Sequence, residues 1–297
     1  MNGDGNLDII TGHYWPGDIF VFYGEGNGKF AKMDNLKDET GRNLNAGEPW
    51  EDENEYRMES LAAAPYAADI DGDGDYDMLI GNIEGSVVLM KNIGDVKKPV
   101  FSTERTKLKA DGKEIKVAGG DAGPVYEDWN HDGIRDLVVG AGDGSVWFYE
   151  NTGKNSAPEF AAGKQIVESS GWDAYPHGTV PKKSGVRSKV CVTDYNGDGL
   201  VDLLLGDFIY EAAAPLELTA ENIKRRDELR EKRKEVQKKL RKVSSSDDAK
   251  GDKGEQQKVL DEYREISLEL GKFESQNIYH GFAWLYLRQP AEQAASK

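Results

Sequence analysis

Acidic and amide side chains recur at every second position in short segments of the sequence. Residues 69–77 read DIDGDGDYD, residues 128–136 read DWNHDGIRD and residues 194–202 read DYNGDGLVD, and we name these segments loop 2, loop 3 and loop 4. Loop 1, residues 2–8, reads NGDGNLD and has the same pattern without its first position. Glycine at position 6, or at positions 4 and 6, allows the backbone to turn back on itself, so that the oxygen-bearing side chains converge.

Converging oxygens are the ligands that calcium prefers, because this hard cation takes roughly six to eight of them. Positions 1, 3, 5 and 9 supply side-chain oxygens in this interpretation, and position 7 supplies a backbone carbonyl. The predicted ligands are Asn2, Asp4, Asn6 and Asp8 in loop 1; Asp69, Asp71, Asp73, Asp75 and Asp77 in loop 2; Asp128, Asn130, Asp132, Ile134 and Asp136 in loop 3; and Asp194, Asn196, Asp198, Leu200 and Asp202 in loop 4. Cysteine and clustered histidine, which zinc and copper favour, do not occur in these loops. We predict three complete Ca²⁺ sites and a fourth, truncated at Met1, that is weak or without an ion.

Two other kinds of loop share part of this sequence pattern. A helix–loop–helix calcium site begins with the same residues, but it needs an acid at position 12, where this chain has Ile80, Val139 or Leu205. The second alternative is an acidic turn whose side chains only accept backbone N–H groups. Carboxylates within a few ångströms repel strongly without a counter-ion, and loops 2 and 4 contain no basic residue, which favours a bound cation. Loop 3 departs from the pattern at Arg135 and at His131, which we expect to face solvent rather than bind metal.

The residues after the loops repeat as well. Asp77 is followed by MLIG and then GSVVLMKNIG, and Asp136 is followed by LVVG and then GSVWFYENTG. Each unit predicts four short strands bounded by Gly, Asn and Asp turns, with the acidic loop after the first strand and segments such as 113–117 as the fourth. Four antiparallel strands, repeated about every 60 residues, are typical of propeller blades, whereas a β-helix has shorter repeats. We predict an all-β fold, a partial β-propeller of about four blades.

These loops and the continuation GSV resemble FG-GAP and VCBS-type repeats, the blades of integrin α-subunit propellers and of many bacterial secreted proteins. The resemblance covers residues 1–210 and resumes at about 280. It implies that calcium has a structural role at the edge of each blade and that the protein works outside the cytoplasm. Calcium sites of extracellular modules are weak, on the order of 10⁻⁴–10⁻³ M, so they stabilise only where calcium is abundant.

A helical pattern interrupts the fourth unit. Leu203–Gly206 is not followed by a third strand until Gly281–Leu287. Between them, apolar residues recur at helical spacing, at Leu229, Val236, Leu240 and Val243 and then at Val259, Tyr263, Ile266, Leu270 and Phe273. We predict that residues 211–279 form an inserted antiparallel two-helix coiled coil, either a self-contained spur or an arm that docks a partner, and that residues 291–297 form a disordered tail.

The composition restricts the classes of partner. The chain carries a formal charge of −16, so it lacks the basic face that nucleic-acid binding needs. The sequence has no apolar stretch long enough to span a membrane. One cysteine, Cys191, excludes an internal disulfide, and its apolar surroundings predict an inert core residue.

No arrangement of catalytic residues is visible in the sequence. The four histidines are scattered, and paired carboxylates occur as calcium ligands. Tyr14, Trp15, Trp50 and Trp172 fall in predicted loops, where they either stack on sugars or pack between blades. We predict a secreted, cell-surface or periplasmic module that binds a protein or a polysaccharide in an adhesion-like role and is not an enzyme. The alternative is the propeller of a polysaccharide lyase or another carbohydrate-active enzyme.

The start of the chain carries one further expectation. Met1 occupies position 2 of loop 1, so we expect the chain to be an N-terminally truncated part of a longer exported protein, with its signal peptide further upstream. Neighbouring or partner blades would then complete the ring.

Overall fold

A computed structural model describes residues 1–47, 58–214, 216–244, 253–275 and 277–289 of this chain. Trp50 and the predicted tail lie outside these residues.

The chain divides into two compact units. Unit 1 contains the described residues of Met1–Asp173 and Pro181–Ile209 and those from His280 onward. Unit 2 contains Ala174–Val180 and the described residues of Tyr210–Tyr279.

Four antiparallel sheets lie in a propeller arrangement, as the repeat predicted. Sheet 1 has the strand order β1 (Ile9–Gly12), β2 (Ile19–Phe22) and β5 (Asp34–Asn35). The strands β3 (Gly24–Gly26) and β4 (Lys29–Phe30) form a separate small hairpin. β1 therefore follows loop 1 in the way that the second strand of each other sheet follows its loop.

Sheet 2 follows a short 3₁₀ helix at Met58–Ser60. Its strands are β6 (Ala64–Ala68), β7 (Asp77–Gly81), β8 (Val87–Met90) and β9 (Thr106–Lys107), in that order. The prediction of a fourth strand at 113–117 was wrong. β11 (Lys113–Glu114) instead pairs with β10 (Lys109–Ala110), because Asp111 and Gly112 both have positive φ and form a tight hairpin turn.

Sheets 3 and 4 follow the same plan. Sheet 3 has the order β12 (Gly123–Glu127), β13 (Asp136–Gly140), β14 (Val146–Tyr149) and β15 (Lys164–Val167). Sheet 4 contains β16 (Val186–Thr193), β17 (Asp202–Glu211), β18 (Ile278–His280) and β19 (Ala283–Tyr286). β19 pairs with β17 from Leu203↔Tyr286 to Gly206↔Ala283, as β14 pairs with β13. The third strand predicted beyond the helical insertion is therefore confirmed.

The core lies between successive sheets, because the second strands bury both faces. On β13, Leu137 and Val139 pack in the cluster shared with sheet 2, while Val138 packs in the cluster shared with sheet 4. On β7, Met78 and Ile80 pack toward sheet 1. This alternation follows from the two-residue period of a strand and explains why these runs are continuously apolar.

Neighbouring sheets join through a glycine at the end of each second strand. A Cβ atom built on this glycine would lie 2.1–2.2 Å from a carbonyl oxygen of the next sheet, in the pairs Gly12 with Ala63, Gly81 with Ala122, and Gly140 with Ser188. No larger residue fits there. The equivalent Gly206 of sheet 4 has the Lys189 carbonyl at 3.8 Å as its nearest neighbour in the described part of the chain.

Unit 2 contains two helices, α1 (Ala220–Ser244) and α2 (Lys253–Leu270), which contact each other. Their buried contact residues are Leu229, Val236, Ile266 and Leu270. Arg225 and Glu269 form a 2.7 Å ion pair between the helices. The predicted helices and these contact positions are confirmed, and the coiled-coil geometry stays a prediction. Neither helix is long and apolar enough to cross a membrane.

Candidate metal loops

The acidic loops lie at one end of the sheets. Loops 2, 3 and 4 connect the first strand of sheets 2, 3 and 4 to the second strand, and loop 1 precedes β1. All the predicted ligands therefore fall on the same kind of connection.

The last acid of each loop joins the start of its loop to a residue further along the chain. Asp77 Oδ2 accepts the N–H of Ile70 at 3.1 Å, and its Oδ1 accepts the N–H of Asn92 at 2.9 Å. The equivalent donors are Met1 and Gly24 for Asp8, Trp129 and Asn151 for Asp136, and Tyr195 and Arg288 for Asp202. Burial raises the pKa of Asp77 to about 6. These acids hold the loops on the sheets, and their role as calcium ligands stays a prediction.

Loop 2 gathers three carboxylates. Ligand oxygens of Asp69, Asp71 and Asp73 all lie within 4.8 Å of one another. Both oxygens of Asp69 accept backbone N–H groups, from Gly72 at 2.7 Å and Gly74 at 3.2 Å, which fixes the curl of the loop.

Two buried oxygens of loop 2 are unsatisfied. Asp71 Oδ1 and Asp75 Oδ1 are inaccessible to solvent and have no hydrogen-bond partner in the described part of the chain. Asp75 is only 8% exposed, and burial together with the charges of Asp73, Asp71 and Asp69 raises its pKa against the lowering effect of a side-chain hydrogen bond from Asn92. A buried carboxylate oxygen without a donor is costly unless a cation satisfies it. Loop 2 therefore fits a hard, oxygen-seeking divalent cation such as calcium.

Loops 1, 3 and 4 reduce the same repulsion with an amide. Position 3 is asparagine there, and its amide donates to the carboxylate at position 5, over 2.9–3.0 Å, in the pairs Asn2 with Asp4, Asn130 with Asp132, and Asn196 with Asp198. In loop 2, Asp71 cannot donate. Loops 2 and 4 were expected to be alike, whereas the structure distinguishes them at this position.

The remaining predicted ligands also take part in local hydrogen bonds. The position-7 residues each donate their N–H to the acid at position 5, over 2.7–3.0 Å, and these donors are Asn6, Asp75, Ile134 and Leu200. Asp128 and Asp194 accept N–H groups from Gly133 and Gly199 in their own loops. Hydrogen bonds of this kind are also expected of acidic turns, so the unsatisfied oxygens of loop 2 are the observation that favours a cation.

One basic residue outside the loops was missed by the sequence analysis. The Lys91 ammonium, at the end of β8, lies 3.1 Å from Asp71 Oδ2, and this contact raises the pKa of Lys91. Lys91 offsets part of the loop charge but leaves Asp71 Oδ1 without a partner. Lys91 lies beside loop 2 because β8 pairs with β7, and this pairing cannot be read from the sequence of loop 2 alone.

The loops also contact the neighbouring sheets. Gly72 of loop 2 packs against Ser156 in the turn that follows β14, and Gly3 of loop 1 packs against Val96 in the equivalent turn of sheet 2. Between loops 3 and 4, His131 Nε2 accepts the N–H of Val201 at 3.2 Å. His131 is exposed, as expected, and it also forms this link between sheets.

Two of the predicted ligand-binding segments lie at the other end of the sheets. Tyr14 and Trp15 occupy the connection from β1 to β2 and are 58% and 57% exposed. Trp172 is 50% exposed, and the Arg187 guanidinium lies 5.9 Å from its ring centroid. The neighbouring Ser170 donates to the carbonyl of Asp143, which places this segment beside the connection from β13 to β14.

Comparison with known families bears on one of these repeats. Residues 128–205, which run from loop 3 to β17, match the family model described as an FG-GAP-like repeat. Comparison with curated proteins and with solved structures gave no match. The repeat match and the arrangement of the four sheets support an FG-GAP-type propeller.

Proposed function

We propose that this FG-GAP-type propeller is a calcium-stabilised module, working outside the cytoplasm, that binds a protein or polysaccharide and catalyses no reaction. The observation that carries the calcium assignment is loop 2, where three carboxylates converge and two buried oxygens lack a donor. Calcium is abundant outside cells, where weak sites of this type are occupied.

In this proposal, calcium stabilises the contacts between an acidic loop and the neighbouring sheet. An ion held by Asp69, Asp71 and Asp73 would fix the curl of loop 2, and loop 2 packs on the turn at Ser156 of the next sheet. Because the ion binds the folded loop and not the unfolded chain, it stabilises the fold by mass action. The hydrogen bonds of the chain position the loop, and the ion supplies the positive charge that offsets the repulsion between the three carboxylates.

The end opposite the loops is the proposed binding face. Tyr14, Trp15 and Trp172 expose aromatic surface there, and large aromatic groups provide contact area in protein recognition and stacking surface for sugars. A rigid propeller that presents such residues on short connections is suited to adhesion or scaffolding.

Binding can be tested on panels of immobilised polysaccharides and extracellular proteins, in calcium and in chelator. We expect saturable binding to at least one ligand in calcium, weakened by Trp15→Ala and Trp172→Ala. Phe30→Ala is the matched control, because Phe30 is an exposed aromatic in the separate hairpin β3–β4. Release of unsaturated products from uronic-acid polymers would contradict the absence of catalysis, and binding that is unchanged in both tryptophan variants would contradict the proposed face.

A further inference from the structure

The first strands β6, β12 and β16 line a cavity of about 420 Å³ within unit 1. This volume falls in the range of small-molecule sites, roughly 300–1,000 Å³. The apolar part of the wall consists of Ala64, Pro65, Pro124, Val125, Val190 and Val192. The polar groups are Tyr66, Glu127, Lys189 and Cys191. None of the lining residues belongs to a metal loop or to the aromatic face, and Glu127 directly precedes Asp128 of loop 3.

Glu127 gives the cavity a carboxylate, and the Arg135 charge acts on the Tyr66 that contacts it. The Tyr66 hydroxyl donates to Glu127 Oε1 at 2.7 Å, and burial and this carboxylate both raise the pKa of Tyr66. Within the described part of the chain, Glu127 forms no ion pair. A half-buried carboxylate that is held by a phenol and has no paired cation in the described residues favours a positively charged group.

Lys189 does not neutralise that charge. Its ammonium donates to the Asp121 carbonyl at 2.7 Å, to Asp121 Oδ1 at 3.1 Å and to the Ala122 carbonyl at 3.3 Å, which uses all three of its protons. Asp121 and Ala122 precede β12, whereas Glu127 is its last residue. The paired cation and the unpaired carboxylate therefore lie at opposite ends of the strand.

We propose that this cavity binds a small organic cation. An ammonium group lies against Glu127 and the face or hydroxyl of Tyr66, and the apolar body of the ligand packs on the proline and valine walls. This inference does not depend on the calcium assignment or on the proposed binding face.

Cys191 provides the test, because it is the single cysteine of the chain and lines the cavity. Cys191 was expected in the core, but the structure leaves it exposed on β16. Its alkylation by neutral iodoacetamide is followed by mass spectrometry on the full chain in calcium buffer, with benzylamine, benzyl alcohol or phenylacetate present. We expect benzylamine to slow alkylation several-fold, and the neutral and anionic analogues to have little effect.

The Glu127→Gln variant isolates the charge, because the amide oxygen still accepts from Tyr66. We expect benzylamine protection to be lost in Glu127→Gln and kept in Glu114→Gln, whose exposed carboxylate lies on β11 outside the cavity. Equal protection by the three analogues, no protection by benzylamine, or full protection in Glu127→Gln would overturn the proposal. The comparison of analogues on the unaltered chain decides the matter even if the variant folds poorly.

Discussion

Asp71 and Lys91 lie 3.1 Å apart, yet the second oxygen of Asp71 is buried without any donor in the described part of the chain. This relationship distinguishes loop 2 from the other three loops, where asparagine takes the place of Asp71. It shows that the loop carries more negative charge than its surroundings satisfy.

Replacing Asp71 with asparagine reproduces the amide found in loops 1, 3 and 4. We expect Asp71→Asn to melt at a higher temperature than the unaltered protein in chelator, because repulsion with Asp69 and Asp73 is relieved. In calcium the order reverses, since a neutral amide oxygen replaces an anionic ligand, with affinity reduced about tenfold or more, or about 1.4 kcal/mol. Thermal melts with and without calcium measure both effects.

Asp111→Asn is the control for that change, because Asp111 is an exposed acid in a hairpin turn where asparagine also tolerates positive φ. It should leave the calcium-induced shift unchanged. An Asp71→Asn protein that gains the full shift in calcium would show that the negative charge of Asp71 does not contribute to calcium binding.

The glycines at the ends of the second strands, where neighbouring sheets contact each other, can be tested by a matched pair of substitutions. Gly81→Ala places a methyl group 2.2 Å from the Ala122 carbonyl oxygen, so the sheets must separate, and we expect a loss of about 1–3 kcal/mol in the free energy of unfolding. Gly206→Ala meets its nearest atom at 3.8 Å and should change stability by no more than about 0.5 kcal/mol. Urea unfolding measures both variants, and equal losses in the free energy of unfolding would contradict a close contact between sheets at Gly81.

Arg288 connects the last strand of sheet 4 to loop 3. Its guanidinium carbon lies 4.5 Å from the Trp129 ring centroid, and it donates to the Trp129 carbonyl. We expect Arg288→Ala to cost about 0.5–2 kcal/mol in urea unfolding, and Arg288→Lys to recover little, because lysine lacks the planar group that stacks and donates together. Full recovery by lysine would show that charge alone matters.

The stability of the calcium-free protein should depend on the ionisation of Asp77. Its pKa in the folded chain is about 6, above the usual value of about 3.9, so its stabilising effect is present at low pH and is lost as the pH rises through 6. Between pH 5 and pH 7 in chelator, we expect the unaltered protein to lose about 1 kcal/mol more than Asp77→Asn, which does not titrate. Identical pH dependence of the two proteins would contradict the buried, protonatable state.

Much of the fold could be predicted from the sequence because the repeat carries it. The recurrence of the loop before an apolar run gave the first and second strands, and Gly281–Leu287 was identified as a displaced third strand by its likeness to the segment after Gly144. The fourth strand of sheet 2 was predicted at the wrong place, because the Asp111–Gly112 turn brings residues 113–114 into a separate hairpin.

The candidate site could be predicted in composition but not in detail. The alternation of acids identified the ligand oxygens, whereas their hydrogen-bond partners come from residues distant in sequence, such as Lys91 and Asn92. Cys191 was misplaced because the apolar run that contains it faces the core on one side only. The difference between asparagine and aspartate at position 3 was visible in the sequence. Its consequence depends on the structure, where the asparagine amide donates to the acid at position 5.

Calorimetric titration of calcium into chelator-stripped protein tests the central claim most directly. The account predicts saturable heat with a dissociation constant on the order of 10⁻⁴–10⁻³ M, a weaker response to magnesium, and a rise in melting temperature over the same calcium range. No heat and no change in melting at ten-millimolar calcium, on the order of ten times the weakest expected constant, would contradict it.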